Sequence, residues 1–443
     1  MTTRSTLFRV LDGVAVISLN APPVNALSAP LRAALADHIR RVDTEAHISA
    51  AVLRAEGALF SAGADIRELD ADWQDPAPRD LCDLVEGCSK PVIAALNGQA
   101  LGGGAELFLA AHYRLAEPRA RIGFPEVTLG VLPGAGGTQR LPRLVGPEAA
   151  LKLMVSGQSV SASDARQLGL VDGLVEGDLA SGAVTFARKL VADGTGPRPT
   201  RARRGGLADG RACQAQVASA RREIADSPMF APHLIVDCVE AASLLPVEAG
   251  QAFEQDAFDR CRSHPQSIAL RHVFLAERRV DARLLHRSGG AFVPTEPAGA
   301  AVVTRLRRAL HAAAQALVET LEIPAPQVDG AMVAHGFRTG VFGHSTPGPD
   351  RVPVMRRLIA ALISEGAALV AEGHLDRPSD IDAMAVHGLG YPRRQGGPCR
   401  AAQTMGLLAL RNDMRSWSGD NPIWAPPAML DEAVKLAAGF DAL

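Results

Sequence analysis

The stretch FSAGADIREL, residues 60–69, and the stretch NGQALGGGAELFLAAH, residues 97–112, each set small residues and glycines just ahead of a carboxylate. In the second stretch three glycines, residues 102–104, stand between an apolar run typical of a strand and the helical run ELFLAAH. The first N–H groups of a helix have no intrahelical acceptor, and glycine lets another molecule approach that backbone closely. Both stretches therefore predict backbone amide donors that are held at a turn.

The glycines do not match the common nucleotide-binding loops. A phosphate-binding loop ends in Gly-Lys-Ser/Thr, and a dinucleotide fingerprint needs GxGxxG, whereas LGGGAELF has neither pattern. The remaining interpretation is that one amide from each stretch converges on a carbonyl oxygen that becomes negative during a reaction. Such a pair of donors is an oxyanion hole.

Two glutamates are the candidate acid-base groups. Glu106 falls in the first turn of the glycine-led helix, and Glu126 lies in RIGFPEVTLG, residues 121–130, among apolar neighbours. Apolar surroundings raise the pKa of a carboxyl group and suit it to exchange protons near neutral pH. Either acid alone is more simply explained as a helix-dipole or surface residue. With the two amide donors, the pair predicts an acid-base site.

Size and composition exclude several classes of protein. The chain has 443 residues, which favours about two to four domains. Its net charge of −2 gives no electrostatic reason to expect nucleic acid as a partner. The six cysteines are scattered without metal-ligand spacing, so we expect reduced thiols and no metal site. No signal-peptide core and no membrane-length apolar run is found, which predicts a cytoplasmic protein without a membrane partner.

The order of apolar runs predicts three parts along the chain. Short strand-like runs alternate with helical ones over residues 1–192, which indicates an α/β domain. The segment DGTGPRPTRARRGGLADGRA, residues 193–212, is rich in proline, glycine and arginine and predicts a linker or surface loop. It opens a second part, residues 193–285, which continues as helices. Residues 300–443 read as helical throughout, so we expect an all-α C-terminal region.

An internal repeat divides the C-terminal region. ALVETLEIPAPQVDGAMVAHGF, residues 316–337, and ALVAEGHLDRPSDIDAMAVHGLG, residues 368–390, share a helix, a break with proline, an aspartate and a His-Gly ending. Two similar helical subdomains that pack on each other are expected. His335 and His387 occupy matching positions, and we interpret them as core or capping residues rather than ligands or catalysts.

The three motifs together resemble the enoyl-CoA hydratase/isomerase, or crotonase, superfamily over about the first 190 residues. The motifs are FSAGADIREL, NGQALGGGAE and FPEVTLGVLPGAGGTQRLPRLVG. The resemblance implies a spiral of ββα units, an oxyanion hole formed by the N–H groups of Ala64 and Gly103, and Glu106 and Glu126 as the catalytic acids. The implied contacts to CoA and substrate are Asn25, Ala26, Ala62, Ala64, Asp65, Ile66 and Gly103.

The remaining sequence is similar to the multifunctional β-oxidation enzymes. Residues 245–279 resemble the helical segment that follows their crotonase part, and residues 377–398 resemble their C-terminal 3-hydroxyacyl-CoA dehydrogenase domain. Those enzymes have an NAD-binding Rossmann domain between the two. Here only residues 280–299 lie there, whereas one βαβ unit needs roughly 30 residues. The resemblance therefore implies no NAD, and no cofactor beyond the CoA of the substrate.

The predicted function is hydration of 2-enoyl-CoA together with Δ3,Δ2-enoyl-CoA isomerisation, without dehydrogenase activity. Isomerisation alone, thioester hydrolysis or decarboxylation, and a non-catalytic acyl-CoA-binding or scaffold role are the alternatives, because the fold and oxyanion hole are shared by several chemistries. We expect the acyl-CoA thioester as the small-molecule partner. If the C-terminal helices cover the surface through which relatives assemble, the chain is a monomer.

Overall fold

Apolar runs near the N-terminus become strands in the structure, a computed structural model that describes residues 5–349 and 352–443. All six residues of VAVISL are buried, as is typical of a strand covered on both faces. The strands of this part are β1 (Thr6–Leu11), β2 (Val14–Leu19), β3 (Ala50–Ala55), β4 (Val92–Leu96), β5 (Gln99–Leu101), β6 (Tyr113–Ala116), β7 (Arg121–Gly123), β8 (Ser159–Ser161) and β9 (Gly173–Leu174).

These strands form two sheets. The larger has the order β1-β2-β3-β4-β6-β9, with β1 antiparallel to β2 and every other pair parallel. The smaller has the order β5-β7-β8. Since β4 and β5 are separated only by Asn97 and Gly98, the chain passes from one sheet to the other within two residues. The glycine-led turn at residues 102–104 follows directly after β5.

Helices with one apolar face cover the sheets. In the first of them the buried residues Leu31, Leu35, Ile39 and Val42 recur at helical spacing, and a proline at the first turn suits its start. The helices of this part are α1 (Ala29–Thr44), α2 (Pro78–Glu86), α3 (Gly103–Ala110), α4 (Gly137–Ser156), α5 (Ala162–Gln167), α6 (Leu179–Ala192), α7 (Gly210–Glu223), α8 (Phe230–Leu244) and α9 (Val247–Ser263).

The helices α7, α8 and α9 belong to the same unit as the sheets. The chain divides into two compact units, Met1–His264 and Pro265–Leu443. Helix α4 packs against α7, α8 and α9, so the helical segment after the α/β part completes the first core. The sequence predicted that this part continues to residue 285, whereas the unit ends at His264.

The arginine-rich segment of residues 193–212 is held more firmly than a solvated linker. The Thr200 side chain is buried, donates to the carbonyl of Leu109 at 2.8 Å and accepts from Arg114 at 3.1 Å. Arg198 pairs with Asp172. Most of the segment is exposed, as the prediction of a surface loop requires, and the buried Thr200 supplies a hydrogen-bond partner to a buried arginine.

The second unit is helical apart from one short hairpin. Strands β10 (Leu285–Ser288) and β11 (Ala291–Pro294) pair antiparallel within the segment 280–299. No strand occurs in the described part of residues 300–443. The helices are α10 (Pro265–Arg279), α11 (Ala298–Glu319), α12 (Ala325–His335), α13 (Val352–Ala371), α14 (Pro378–Leu389), α15 (Pro398–Met405), α16 (Leu407–Trp417) and α17 (Ala428–Ala433).

The sequence repeat corresponds to a repeated contact in this unit. Asp329 on α12 accepts from the N–H groups of Phe342 and His344, at 3.0 and 2.9 Å. Asp382 on α14 accepts from the N–H groups of Cys399 and Arg400, at 2.7 and 3.2 Å. Each half thus uses a buried aspartate to hold the segment that follows its helix.

The two histidines of the repeat have partners inside the unit. His335 Nε2 lies 3.2 Å from the hydroxyl of Tyr391. His387 Nε2 lies 2.6 Å from Glu277 Oε1, and Arg393 binds the same carboxylate. Although burial opposes it, donation from His387 and Arg393 lowers the pKa of Glu277 to about 2. Both histidines are part of the packing of the unit, in agreement with the prediction.

Candidate active site

The two glycine-rich stretches quoted at the outset lie against each other. The N–H of Leu101 donates to the carbonyl of Ser61 at 3.0 Å, and Ser61 pairs with Ala100 as an isolated parallel bridge. A Cβ atom on Gly104 would lie 2.7 Å from the Ser61 Cβ, and one on Gly63 would lie 2.8 Å from the Leu101 carbonyl oxygen. Glycine is needed at both positions because any side chain would push the two stretches apart.

This close approach brings two backbone amides together. A Cβ atom on Gly103 would lie 3.2 Å from the Ala64 nitrogen, so the two N–H groups are neighbours. Neither amide donates to a backbone carbonyl in the part of the chain that the structure describes. Gly103 is the first residue of α3, where the positive end of the helix dipole adds to the donor. The geometry suits an oxygen atom that carries negative charge.

Glu106 lies on α3, three residues after Gly103, and its side chain is 3% exposed. One carboxylate oxygen, Oε1, accepts from the N–H groups of Ala135 and Gly137, at 2.7 and 2.8 Å. No hydrogen bond reaches Oε2 from the described residues. Burial and the nearby carboxylates of Glu126 and Glu254 raise the pKa of Glu106 well above its ordinary value. One oxygen is thus fixed and the other is available to a ligand.

Glu126 lies in the 3₁₀ turn Pro125–Leu129, which follows β7. Both of its carboxyl oxygens are buried and have no hydrogen-bond partner among the described residues. A Cβ atom on Gly102 would lie 3.1 Å from Glu126 Oε1, which places this carboxyl group beside the amide pair. Burial, with a contribution from the charge of Glu254, raises the pKa of Glu126 to about 8. A carboxyl group of this kind exchanges protons near neutral pH.

A single cavity joins these groups. It is lined by both glutamates and both amide-bearing residues, and by apolar side chains from the turns around them. Apolar walls exclude water and strengthen electrostatic interactions inside the cavity. The apolar lining residues include Ile66, Leu69, Trp73, Leu129, Val131, Leu132 and Phe258.

The remaining predicted contact residues divide into two groups. Ala62 and Ile66 line the cavity beside Ala64 and Gly103, whereas Asn25, Ala26 and Asp65 do not. Asn25 is buried and its amide group is occupied: it donates to the carbonyls of Glu56 and Leu59, at 3.0 and 2.9 Å, and accepts from Ala21.

The Asp65 carboxylate is committed to its neighbour Arg67. It accepts from the Arg67 N–H at 3.0 Å, caps the turn Ile66–Asp70 and pairs with the Arg67 guanidinium, which lowers the pKa of Asp65. The side chains of Asn25 and Asp65 therefore shape the loops, and only their backbone remains for the predicted contacts.

A third buried glutamate, Glu254, was missed by the sequence analysis. It lies on α9, is 1% exposed, and accepts from the N–H groups of Gly136 and Thr138 at 2.6 and 2.9 Å. Its position in an ordinary helical run, far along the chain from the other two acids, gives no local signal. The one available hint was an acid on the apolar side of α9, between Gly250 and Phe258.

The described residues offer no metal site and no membrane-spanning helix. Among the described residues, no group of three or more histidine, cysteine, aspartate or glutamate side chains is arranged to hold a metal ion. Within the same residues, every helix is too short or too polar to span a lipid bilayer.

The same segment of the chain matches a known family. Residues 9–197 fit the family model described as enoyl-CoA hydratase/isomerase. This segment therefore belongs to the enoyl-CoA hydratase/isomerase family. The match includes the two glycine-rich stretches, Glu106 and Glu126, and ends before α7, so Glu254 lies outside it.

Proteins similar in sequence to this chain include larger enzymes. The peroxisomal bifunctional enzyme of Danio rerio is 40% identical over 282 residues, which cover 61% of this chain and 38% of the relative. Its human counterpart is 36% identical, covering 62% and 38%. A probable enoyl-CoA hydratase of Bacillus subtilis is 42% identical, covering 36% of this chain and 64% of the relative. The match thus spans 38% of the length of these two bifunctional relatives.

Proposed function

We propose that the chain hydrates 2-trans-enoyl-CoA and also isomerises 3-enoyl-CoA to 2-enoyl-CoA, as part of fatty-acid β-oxidation. The observation that supports this most directly is the cavity in which the carboxyl groups of Glu106 and Glu126 accompany the unpaired amides of Ala64 and Gly103. The family membership and the printed names of the relatives support an acyl-CoA thioester as substrate.

The amide pair supplies electrostatic stabilisation in both reactions. The thioester carbonyl oxygen accepts from the N–H groups of Ala64 and Gly103, and these bonds strengthen as negative charge moves onto that oxygen. Donors that are fixed before the reaction stabilise the enolate-like state without reorganisation. The substrate contacts lie in the apolar cavity, where water does not compete for the donors.

Hydration needs both glutamates. In its ionised form, which the N–H donors of Ala135 and Gly137 favour against burial, Glu106 orients a water molecule through Oε2 and takes one of its protons as the water oxygen bonds to C3. Glu126, which its raised pKa keeps protonated at neutral pH, delivers a proton to C2. Water is thereby added across the double bond, and the proton gained by Glu106 replaces the proton lost by Glu126 after exchange with solvent.

Isomerisation needs only one of the two glutamates, Glu126. Ionised Glu126 removes a proton from C2 of the 3-enoyl thioester, the amide pair holds the enolate, and the same carboxyl group returns the proton to C4. No activated water takes part, so Glu106 has no required role in this step. Neither carboxyl oxygen of Glu126 has a hydrogen-bond partner among the described residues, which supports the role of a group that must reach two carbons.

We further propose that the chain has no 3-hydroxyacyl-CoA dehydrogenase activity and needs no NAD. The support is the segment of residues 280–299, which forms the hairpin β10–β11 where the multifunctional enzymes have a dinucleotide-binding domain. Calorimetry with NADH tests this point. Micromolar binding of NADH would contradict it.

The experiment for the main proposal is turnover of two substrates by the purified chain. Crotonyl-CoA should yield 3-hydroxybutyryl-CoA, and 3-hexenoyl-CoA should yield 2-hexenoyl-CoA. Release of free CoA or of carbon dioxide would instead indicate one of the alternative chemistries. Tight acyl-CoA binding without any turnover would indicate a non-catalytic protein.

A further inference from the structure

Four successive backbone amides, those of Ala135, Gly136, Gly137 and Thr138, are shared alternately between two buried glutamates. The first and third donate to Glu106 Oε1, at 2.7 and 2.8 Å. The second and fourth donate to the carboxylate of Glu254, at 2.6 and 2.9 Å. The two carboxylates thus hold the same turn of chain, at the start of α4.

The backbone of the turn formed by residues 135–138 has little conformational freedom. Gly136 has a φ of +95°, and a Cβ atom there would lie 2.0 Å from a nitrogen of the Arg140 guanidinium. A Cβ atom on Gly137 would lie 2.7 Å from Glu106 Oε1. Neither position has room for a side chain. The backbone path of the turn is therefore determined by the two acceptors on either side of it, Glu106 and Glu254.

The hydrogen-bond pattern around Glu254 fits an ionised carboxylate. Gln139 donates to the Thr138 hydroxyl oxygen at 2.9 Å and to the carbonyl of Cys238 at 3.0 Å. The hydroxyl proton of Thr138 is therefore directed to Glu254, which accepts three donors in all. Burial raises the pKa of Glu254, and these donors oppose that shift.

We propose that Glu254 is a positioning residue for Glu106, acting through the alternating amides of residues 135–138. This inference rests on the proposed hydratase function. With Glu254 in place, the amides of Ala135 and Gly137 fix Oε1 of Glu106, so that Oε2 is presented to the water that adds to C3. Glu254 itself does not line the cavity and touches no reacting atom.

The charge of Glu254 has a second effect on the same site. Its proximity contributes to the raised pKa values of both Glu106 and Glu126. The other charged and titratable groups that interact with Glu106 or Glu254 come from α2, α4 and α8, and they are Arg79, Cys82, Arg140 and Cys238. Neutralising Glu254 alone should therefore lower the pKa of the two cavity glutamates.

The test is Glu254→Gln in the full chain, with Asp256→Asn as a control on the exposed side of the same helix. The amide group of glutamine presents a donor to the turn, so at least one of the alternating bonds is lost. We expect kcat for crotonyl-CoA hydration to fall about 10- to 100-fold, the scale of a displaced catalytic group, with little change in KM. The pH-rate profile should move to lower pH, and the control should match the wild type.

A double-mutant cycle separates positioning from a purely structural role. In a chain that already carries Glu106→Gln, the added Glu254→Gln should cost less than about twofold, because the group that it positions is gone. An equal loss in both backgrounds would overturn the inference. So would a Glu254→Gln chain with wild-type kcat and pH profile.

A second variant, Glu254→Asp, and a titration of Glu106 complete the test. Glu254→Asp keeps the negative charge but has a shorter side chain, so kcat should fall while the pH-rate profile stays unchanged. If the Glu254→Gln chain does not fold, the Glu254→Asp chain is used in its place. A ¹³C NMR titration of the Glu106 carboxyl group measures the effect of Glu254 on the pKa of Glu106 without any turnover. If the wild type proves inactive, the proposed function fails, and an unchanged Glu106 titration in Glu254→Gln then overturns this inference separately.

Discussion

At the scale of single residues, the two cavity glutamates differ in their hydrogen bonds. Glu106 has one oxygen fixed by two amides, whereas Glu126 has both oxygens buried and unpaired. An unpaired buried carboxyl group is costly to the folded state, so its presence is better explained by a ligand than by stability. The difference predicts separate consequences for the two residues.

Replacing Glu126 with glutamine should damage both reactions, and replacing Glu106 should damage mainly one. Glu126→Gln keeps the shape but removes the proton carrier, so both activities should fall at least ~100-fold, the usual scale for a general acid-base group. Glu106→Gln should reduce hydration heavily and isomerisation much less. Assays with crotonyl-CoA and 3-hexenoyl-CoA on each variant measure this. Full isomerase turnover by Glu126→Gln would refute the shared role of Glu126.

The two reactions should also respond in opposite ways to pH. Below its raised pKa of about 8, Glu126 is protonated and can donate to C2 in hydration. Above that pH it is ionised and can remove a proton from C2 in isomerisation. Where Glu106 is already ionised, we therefore expect kcat/KM for hydration to decrease, and kcat/KM for isomerisation to increase, as pH rises through about 8. Parallel profiles for the two substrates would contradict the assignment.

The sequence predicted the site residues that lie within recognisable local motifs. It missed the residues whose role depends on tertiary contacts. Glu106, Glu126, Ala64 and Gly103 stand beside glycine or proline motifs, and the structure brings all four to one cavity. The roles of these residues remain predictions. Glu254 has no such motif, because what makes it notable is its contact with a turn more than a hundred positions earlier.

At the scale of elements, the close contact between the two glycine-rich stretches is what aligns the amide pair. Gly63 has a φ of +99°, and a Cβ atom there would lie 2.8 Å from the Leu101 carbonyl oxygen and 3.2 Å from the Gly103 nitrogen. Gly57, in a nearby turn, has a similar φ of +84° but open space around it. The two glycines share a positive φ and differ in the space around them.

This pair gives a matched test of the amide geometry. Gly57→Ala should lose on the order of 1 kcal/mol of unfolding free energy, because alanine is strained at positive φ. Gly63→Ala should lose more, because its methyl group also clashes with the Leu101 carbonyl. Only Gly63→Ala should also lose activity, by at least ~10-fold, since its methyl group separates Ala64 from Gly103. Denaturant unfolding and crotonyl-CoA turnover measure the two effects. Equal activity in both variants would show that the spacing of the stretches is not needed.

Strands and helices with a clear hydrophobic period were predictable from the sequence, whereas short irregular segments were not. The apolar runs VAVISL and AAVLRA, which lie in the part predicted as an α/β domain, form β2 and β3. The hairpin β10–β11 was not expected, because its run LHRSGGAFVP is short and mixes polar with apolar residues. The anchoring of Thr200 was also missed, since its partner Arg114 is buried by tertiary packing alone.

At the scale of the whole molecule, the first unit contains every residue of the candidate site. Glu106, Glu126 and Glu254 all lie within Met1–His264. The family match ends at residue 197, before α8 and α9, which pack on α4. The site therefore depends on helices that lie beyond the part of the chain that identifies the family.

Two fragments test this dependence. A fragment of residues 1–264 should fold and hydrate crotonyl-CoA at a rate within a few-fold of the full chain, because it keeps one complete core. A fragment of residues 1–192 should be inactive and aggregate, since it exposes the apolar face of α4 and leaves the amides of Gly136 and Thr138 without Glu254. Circular dichroism and turnover decide between the outcomes. Activity in the shorter fragment would mean that α7, α8 and α9 are dispensable.

Other statements about the whole molecule stay predictions. The monomeric state, to be checked by light scattering, and the cytoplasmic location were inferred from the sequence alone. The named bifunctional relatives are peroxisomal, so they do not support the cytoplasmic prediction.

The alternating amides at the start of α4 also determine where a charged ligand cannot bind. A helix N-terminus is a common place for a phosphate group, because its free N–H groups and dipole attract anions. In this chain Glu106 and Glu254 act as built-in counter-ions that occupy those donors. The phosphates of the proposed acyl-CoA substrate must therefore bind away from these four amides, and replacing either glutamate with a residue that accepts no hydrogen bond would leave two of them without an acceptor.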